Sequence, residues 1–174
     1  DHRDLHSFPT RRSSDLFGAA GILGAKLAAP DRPCVSICGD GGFTMVPHVL
    51  CTAVEYNIPA IWVVWNNFSW SAIRDIQYGL FDGREIGTGF YQDGNKQPYN
   101  PDFAAWARAA GAEGVTVTKS EDFKGALEQA VKANKPYLID VHVDANVRPP
   151  ATGTWALPPL AHAEPVFGEP FTPL

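Results

Sequence analysis

Asp40 and Asn67 are the side chains whose type and spacing suit metal-dependent chemistry. Asp40 lies in Gly39-Asp40-Gly41-Gly42, directly after an apolar run, and Asn67 lies in Asn66-Asn67, directly after a second one. In an open parallel sheet, ligands bind just beyond the carboxyl ends of the strands. If the two runs are neighbouring strands, Asp40 offers a charged oxygen and Asn67 a neutral one at the same sheet edge. The backbone carbonyl of Ser69 offers a third. Mg²⁺ prefers oxygen ligands and usually completes its shell with water and substrate phosphates. Gly41 and Gly42 let backbone N–H groups approach a diphosphate, and a helix predicted to follow presents its N-terminal donors. The pair of clusters points to cation-bridged diphosphate recognition. Taken alone, Gly39-Asp40-Gly41-Gly42 also fits a tight turn with Asp40 as a helix cap.

The elements that must position these residues alternate along the chain. Residues 1–16 are polar and without periodicity, and read as a foreign or disordered leader. Residues 17–29 are rich in small residues and helical in period. A turn at Pro30-Asp31-Arg32-Pro33 leads to a short strand over 34–38, apolar enough to be buried on both faces. A helix is expected over 44–56, ended by Asn57 and Pro59, then a strand over 60–65. Residues 70–80 form a helix with Trp70, Ile73, Ile76 and Leu80 on one face. Residues 81–99 are Gly-rich and irregular, as functional or mobile loops are. Asn100 is the expected N-cap of the next helix, with Pro101 in its first turn, running to Ala110. A strand over 114–118, a helix capped by Ser120 and running through Ala133, and a strand over 137–143 complete the pattern. Strands alternating with helices of this length imply an α/β fold, a three-layer sandwich around a mainly parallel sheet. The domain spans residues 17–145. Residues 146–174, with seven prolines, form a tail that is neither helix nor central strand.

The 174 residues suffice for one domain with a substantial core. A formal net charge of −5 argues against nucleic acid or an anionic membrane as partner. No apolar run approaches the roughly 20 residues of a membrane span. Cys34, Cys38 and Cys51 are odd in number; the first two lie on one strand face, too far apart for a disulfide. All three read as buried thiols in a reducing compartment, with the cytoplasm as the expected location. No finger-like zinc spacing is present.

Gly39-Asp40-Gly41, twenty-four residues, then Asn66-Asn67 resembles the thiamine diphosphate motif of the pyruvate-oxidase and acetolactate-synthase superfamily. Gly24-Ala25-Lys26-Leu27-Ala28, Pro30-Asp31-Arg32-Pro33, Asn100-Pro101-Asp102-Phe103 and the stretch from Pro136 to Val141 are similar to its flanking signposts. The resemblance covers about residues 17–144. It implies a thiamine diphosphate-binding fold, the C-terminal domain of a larger enzyme acting on a small 2-oxo acid or aldehyde by decarboxylation or carboligation. It implies Mg²⁺ on Asp40, Asn67 and the Ser69 carbonyl, with Gly39, Asp40, Gly41, Gly42, Asn67, Ser69 and Trp70 around the cofactor. In that superfamily the activating glutamate belongs to a pyrimidine-binding domain supplied by a partner subunit, so the expected assembly is a homo-oligomer. No catalytic residue is assigned to this chain, which alone is expected to be inactive.

The chain also departs from the pattern. A Gly-x-Met-Gly stretch that supports the aminopyrimidine is absent from its expected place before Phe17, where the leader stands. Acetolactate synthases follow the Asn pair with Gly-Met-Val and then Gln-Trp. Here Asp75 stands in place of that Trp, which weighs against acetolactate synthesis proper. Trp70 and Arg74 are candidates for substrate or diphosphate contact, against an alternative of plain packing and a solvated helix face. A non-catalytic cofactor- or nucleotide-binding module is the competing class. A dinucleotide oxidoreductase is disfavoured because no G-x-G-x-x-G follows the first strand.

Overall fold

A computed structural model describes residues 17–147; the expected leader and all but the first two residues of the Pro-rich tail lie outside it. The element order is α1 (Phe17–Ala28), β1 (Cys34–Gly39), α2 (Asp40–Thr44), α3 (Val49–Glu55), β2 (Ala60–Asn66), α4 (Ser71–Leu80), α5 (Phe103–Ala109), β3 (Glu113–Val117), α6 (Ser120–Ala133) and β4 (Tyr137–His142). The four strands form one sheet in the order β1-β2-β4-β3. All three pairings are parallel. Parallel neighbours need crossover connections, and the helices supply them.

Each sheet face carries its own apolar cluster, which makes three layers. On one face Trp62, Val64 and Leu138 meet α1, α2, α3 and α5 through Ala19, Ile22, Phe43, Leu50 and Phe103. On the other, Ile61, Val63, Ile139 and Val141 meet α6 through Ala126 and Ala130. β2 is buried at every position except Trp65, which suits its near-continuous apolar sequence.

The structure departs from the expected elements at several points. In place of the single helix expected over 44–56, α2 starts earlier, takes in Gly41 and Gly42 and ends at Thr44, and α3 begins only at Val49, with residues 45–48 between them. Pro47 explains the break, since it lacks an N–H and biases Val46 away from the helical region. β1 is buried on one face only, because it is an edge strand and α6 lies over β3 and β4. Val35 and Ile37 are therefore exposed. The apolar residues Ile73, Ile76 and Leu80 of α4 also face outward. The cap of α5 is Asp102, whose Oδ1 accepts the Ala105 N–H at 2.8 Å, rather than Asn100. Of the three free cysteines only Cys38 is buried; Cys34 is half-buried and Cys51 exposed. Among the described residues no helix is long and apolar enough to cross a membrane.

Gly114 is where α5 seats on β3. A Cβ there would meet the Ala104 carbonyl and lie 3.0 Å from the Ala107 Cβ. Backbone cannot yield as a side-chain tip can. Gly114→Ala is expected to cost about 1–3 kcal/mol, the usual range for overpacking a tight contact. In a chain of this size each kcal/mol lowers Tm by roughly 2–4 °C. An unchanged melting temperature would mean that α5 does not seat this closely.

Candidate functional site

β1 and β2 run side by side with Gly39 opposite Trp65, so their carboxyl ends lie abreast. Asp40 follows the first end directly and Asn67 the second. The Asp40 side chain is 1% exposed. Its Oδ1 accepts the Gly41 N–H at 3.0 Å. Its Oδ2 accepts the Ser69 N–H at 3.2 Å and the Asn100 amide at 2.7 Å. The Ser69 bond ties the turn after β2 to the turn after β1. Burial pushes the Asp40 carboxyl above its ordinary value, and the Asn100, Gly41 and Ser69 donors pull against that rise. Among the described residues no basic side chain is ion-paired with Asp40.

Asn67 faces a different partner. Its Nδ2 donates to Ser71 Oγ at 2.7 Å, while its buried Oδ1 has no hydrogen-bond partner. The buried Ser69 Oγ is likewise without one. Unpaired buried oxygens are rare and call for an explanation such as a bound ion. Between these two residues Phe68 adopts φ 57°, a left-handed conformation costing about 1–2 kcal/mol for a residue with a Cβ. The turn is held there by the Phe90 N–H on the Phe68 carbonyl at 2.8 Å and the Trp70 N–H on the Thr88 carbonyl at 2.8 Å.

Gly39, Asp40, Gly41, Gly42, Asn67, Ser69 and Trp70 all line one cavity of about 550 Å³. The structure thus brings these seven residues together, while Asn66 and Arg74 are outside this lining. Gly39 opens onto it with free space where a Cβ would project. At Gly41 a Cβ would lie 2.8 Å from the Trp70 indole, so the glycine is what lets Trp70 pack over this turn. The helix that contains Gly41 and Gly42 is only five residues long, and the Gly41 N–H is already engaged by Asp40. Cys38, beside them, has its thiol pushed up to about 12 by burial and by the neighbouring Asp40, so it is protonated and inert.

Arg74 does not reach into this cavity as a free cation. Its Nε bonds Glu85 Oε2 at 3.0 Å and a terminal nitrogen bonds the Tyr78 hydroxyl at 3.0 Å. The same helix α4 clasps the loop after it, with Gln77 accepting from the Ile86 N–H at 3.1 Å and the Thr88 hydroxyl at 3.0 Å. The solvated-face reading of Arg74 gives way to a buried ion pair with Glu85.

Motif reading missed the polar side chains behind Asp40. Asn100 bonds Asn66 Oδ1 at 2.7 Å as well as Asp40, and Asn66 Nδ2 donates to Asp140 Oδ1 at 3.0 Å. Asp140 is 1% exposed on β4, with His142 Nε2 3.3 Å from its Oδ2. An aspartate inside an otherwise apolar strand was the available signal. Burial raises the Asp140 carboxyl above its ordinary value, opposed by the Asn66 hydrogen bond and by His142. A raised folded-state value means that its ionised form is disfavoured in the fold. The contribution is fully present below the unfolded value and is lost as pH rises through the folded one. Asp140→Asn is therefore expected to gain stability over the parent at roughly neutral pH, the gain shrinking as pH falls towards about 4. Melting curves of both proteins at the two pH values check this; a constant difference would refute it.

Among the described residues no three His, Cys, Asp or Glu side chains cluster as metal ligands. A cation here would rest on one carboxylate plus amide and carbonyl oxygens, the set that suits Mg²⁺ rather than zinc.

Comparison with known proteins identifies the family. Residues 17–141 match the family described as thiamine pyrophosphate enzyme, C-terminal TPP binding domain. A putative thiamine pyrophosphate-containing protein of Bacillus subtilis is 34% identical over 126 residues, 72% of this chain and 20% of that protein. The sulfoacetaldehyde acetyltransferase of Castellaniella defragrans is 38% identical over 64% of this chain and 17% of its own length. The acetolactate synthase large subunit of Parasynechococcus marenigrum is 35% identical over 73% and 20%. A solved thiamine diphosphate-dependent 4-hydroxybenzoylformate decarboxylase of Rhodococcus jostii superposes with a TM-score of 0.65 at 31% identity, covering 74% of this chain and 23% of that one. The chain spans about a fifth of the length of these relatives.

Proposed function

Because the chain belongs to the thiamine pyrophosphate enzymes, as their C-terminal TPP-binding domain, we propose that its strand-end cavity anchors the cofactor's diphosphate through Mg²⁺. The observation that carries this is the buried, unpartnered Oδ1 of Asn67, a residue that lines the same cavity as Asp40, whose carboxylate has no ion-pair partner among the described residues. An acceptor-only oxygen beside a carboxylate fits a cation, since neither group can donate to the other. Asp40, Asn67 Oδ1 and the Ser69 carbonyl would hold Mg²⁺. Gly39, Gly42 and Trp70 would line the diphosphate, and Gly41 would keep the Asp40 carboxylate oriented through its N–H. When bound, thiamine diphosphate supplies the carbon chemistry that cleavage and ligation of 2-oxo acids require. This chain's part is to bind and orient.

The activity in which that anchoring serves is decarboxylation or carboligation of a small 2-oxo acid or aldehyde. The range of relatives, from acyl transfer to synthase, supports the reaction class and not one substrate. A pyrimidine-binding domain of a partner subunit in a homo-oligomer completes the reading. So does a cytoplasmic setting, which the free Cys34, Cys38 and Cys51 support.

Calorimetry of the purified chain tests the anchor. Thiamine diphosphate is expected to bind with Mg²⁺ present and not in EDTA. ATP binding equally well would favour a generic phosphate-binding module, and no Mg²⁺-dependent binding at all would overturn the proposal.

A further inference from the structure

We infer that Asn100 and Asp140 are positioning residues for Asp40, acting through a continuous chain of side-chain hydrogen bonds, donated outward from Asn100, across the ends of β1, β2 and β4. The chain runs Asp140–Asn66–Asn100–Asp40, with contacts of 3.0, 2.7 and 2.7 Å. Two carboxylates close its ends and two amides fill its middle. An ionised carboxylate only accepts, whereas an amide donates at one end and accepts at the other. Asp140 therefore draws the Asn66 nitrogen towards itself and turns the Asn66 oxygen to Asn100. That oxygen in turn requires the Asn100 nitrogen. The same nitrogen has a second hydrogen, and Asp40 Oδ2 receives it. Reversing either amide would set oxygen against carboxylate or nitrogen against nitrogen. The sense of the chain is thus fixed by the acceptors at both its ends, Asp140 and Asp40.

The consequence at Asp40 is specific. A carboxylate has about four lone-pair sites, two on each oxygen. Oδ2 accepts from both Asn100 and Ser69 and Oδ1 from Gly41, with the Phe68 backbone N–H also bearing on the carboxylate. Oδ1 is the oxygen left with capacity for a cation. Without Asn100 the carboxylate loses one of the donors that define this split. Asp140, remote along the sequence and on the other side of β2, therefore helps hold the Asn100 nitrogen on Asp40 Oδ2, by orienting the Asn66 oxygen to which that nitrogen also donates. The cation part of this inference rests on the function proposed above; the orientation of Asp40 does not.

Two readouts on the full chain separate these. Without ligand, NMR of labelled protein reports the Asn66 and Asn100 side-chain amides and the Gly41 and Ser69 backbone amides. Asp140→Leu removes the terminal acceptor and is expected to shift all four. Asp140→Asn, which keeps an acceptor oxygen, is expected to restore the parent pattern, a rescue that mere loss of packing would not give. Asn100→Ala is expected to shift Ser69 and Gly41 directly. If Asp140→Leu does not fold, Asp140→Ala takes its place. With Mn²⁺ and inorganic pyrophosphate as probe, electron paramagnetic resonance is expected to show affinity falling about 10–100-fold in Asp140→Leu and Asn100→Ala and recovering in Asp140→Asn, the range typical for groups that orient a metal ligand. Unmoved Gly41 and Ser69 resonances in Asn100→Ala, or an Asp140→Asn protein as perturbed as Asp140→Leu, would overturn the inference. Parent protein that binds no Mn²⁺ but shows the NMR coupling would overturn the proposed anchor and leave the positioning chain standing.

Discussion

Asp40→Ala is expected to lower the affinity of the chain for Mg²⁺–thiamine diphosphate by at least about 100-fold. Groups that merely orient a metal ligand cost roughly 10–100-fold when removed, so the ligand itself should cost no less. The geometry gives a second reason. Asp40 is the hub of three donors, from Gly41, Ser69 and Asn100. Without it, those donors lose their acceptor, and the turn after β2 loses its tie to the turn after β1. The Asn67 and Ser69 oxygens then lose their fixed relation to Gly39 and Gly42. Asp40→Asn separates the two effects. It retains an oxygen to accept hydrogen bonds but removes the charge, so binding should be lost while the melting temperature stays closer to the parent than in Asp40→Ala. Titration calorimetry with and without Mg²⁺, alongside thermal melts, measures both. Retention of parent affinity in Asp40→Ala would show that the cofactor is held elsewhere.

Why this residue was legible from sequence, and Asp140 was not, has a physical basis. Asp40 and Asn67 each stand next to glycine or another amide directly after an apolar run, and their chemistry depends on local chain geometry. A strand end is a local event, so the two clusters announce it. Their meeting required only that β1 and β2 be neighbours, which a short crossover favours. Asp140 reaches Asn66, and through it Asn100 and Asp40, only because β4 inserts between β2 and β3. Nothing in the local sequence encodes that strand order. Asn100 was misread for a related reason. Asn100-Pro101-Asp102 contains two good capping residues, and local preference does not choose between them. The structure gives the cap to Asp102 and frees Asn100 for the site.

The exposed apolar residues show the complementary limit. The periodicity of residues 70–80 announced a helix, which forms over Ser71–Leu80; Trp70, read as part of its apolar stripe, precedes it and packs at Gly41. Periodicity says that a stripe exists, not which surface covers it. Ile73 is 50% exposed and Leu80 71%, while the charged Arg74 between them is buried against Glu85 and Tyr78, as part of a segment that also holds Asp75. The same holds for β1, where an apolar run suggested cover on both faces and edge position left Val35 and Ile37 open. Burial is a property of neighbours, and a short apolar run does not name them.

Trp62→Ala is expected to be the most destabilising of the substitutions considered, at about 3–5 kcal/mol, the usual cost of truncating a buried tryptophan. Trp62 is 0% exposed on β2 and among the largest fully buried side chains. It lies opposite Ser36 of β1 and Leu138 of β4, so the hole would open at the centre of the sheet. Its indole N–H also donates to the Ala19 carbonyl at 2.8 Å, linking α1 to β2. Domains of this kind hold only about 5–15 kcal/mol in total, so the loss takes a large share of it. Trp62→Phe keeps most of the volume and removes the hydrogen bond, and is expected to cost about 1–3 kcal/mol. Urea denaturation should show the midpoint falling with an unchanged slope, since the surface exposed on unfolding is nearly the same. A loss under about 1 kcal/mol for Trp62→Ala would contradict so tightly packed a centre. Because Trp62 stands four positions before Asn66 but shares no hydrogen bond with the Asp40 chain, affinity per folded molecule well below the melting temperature should remain within about two-fold of the parent, as expected for sites with no shared partner. A larger drop would mean that the sheet centre, and not only its carboxyl edge, holds Asn66 and Asn67 in register.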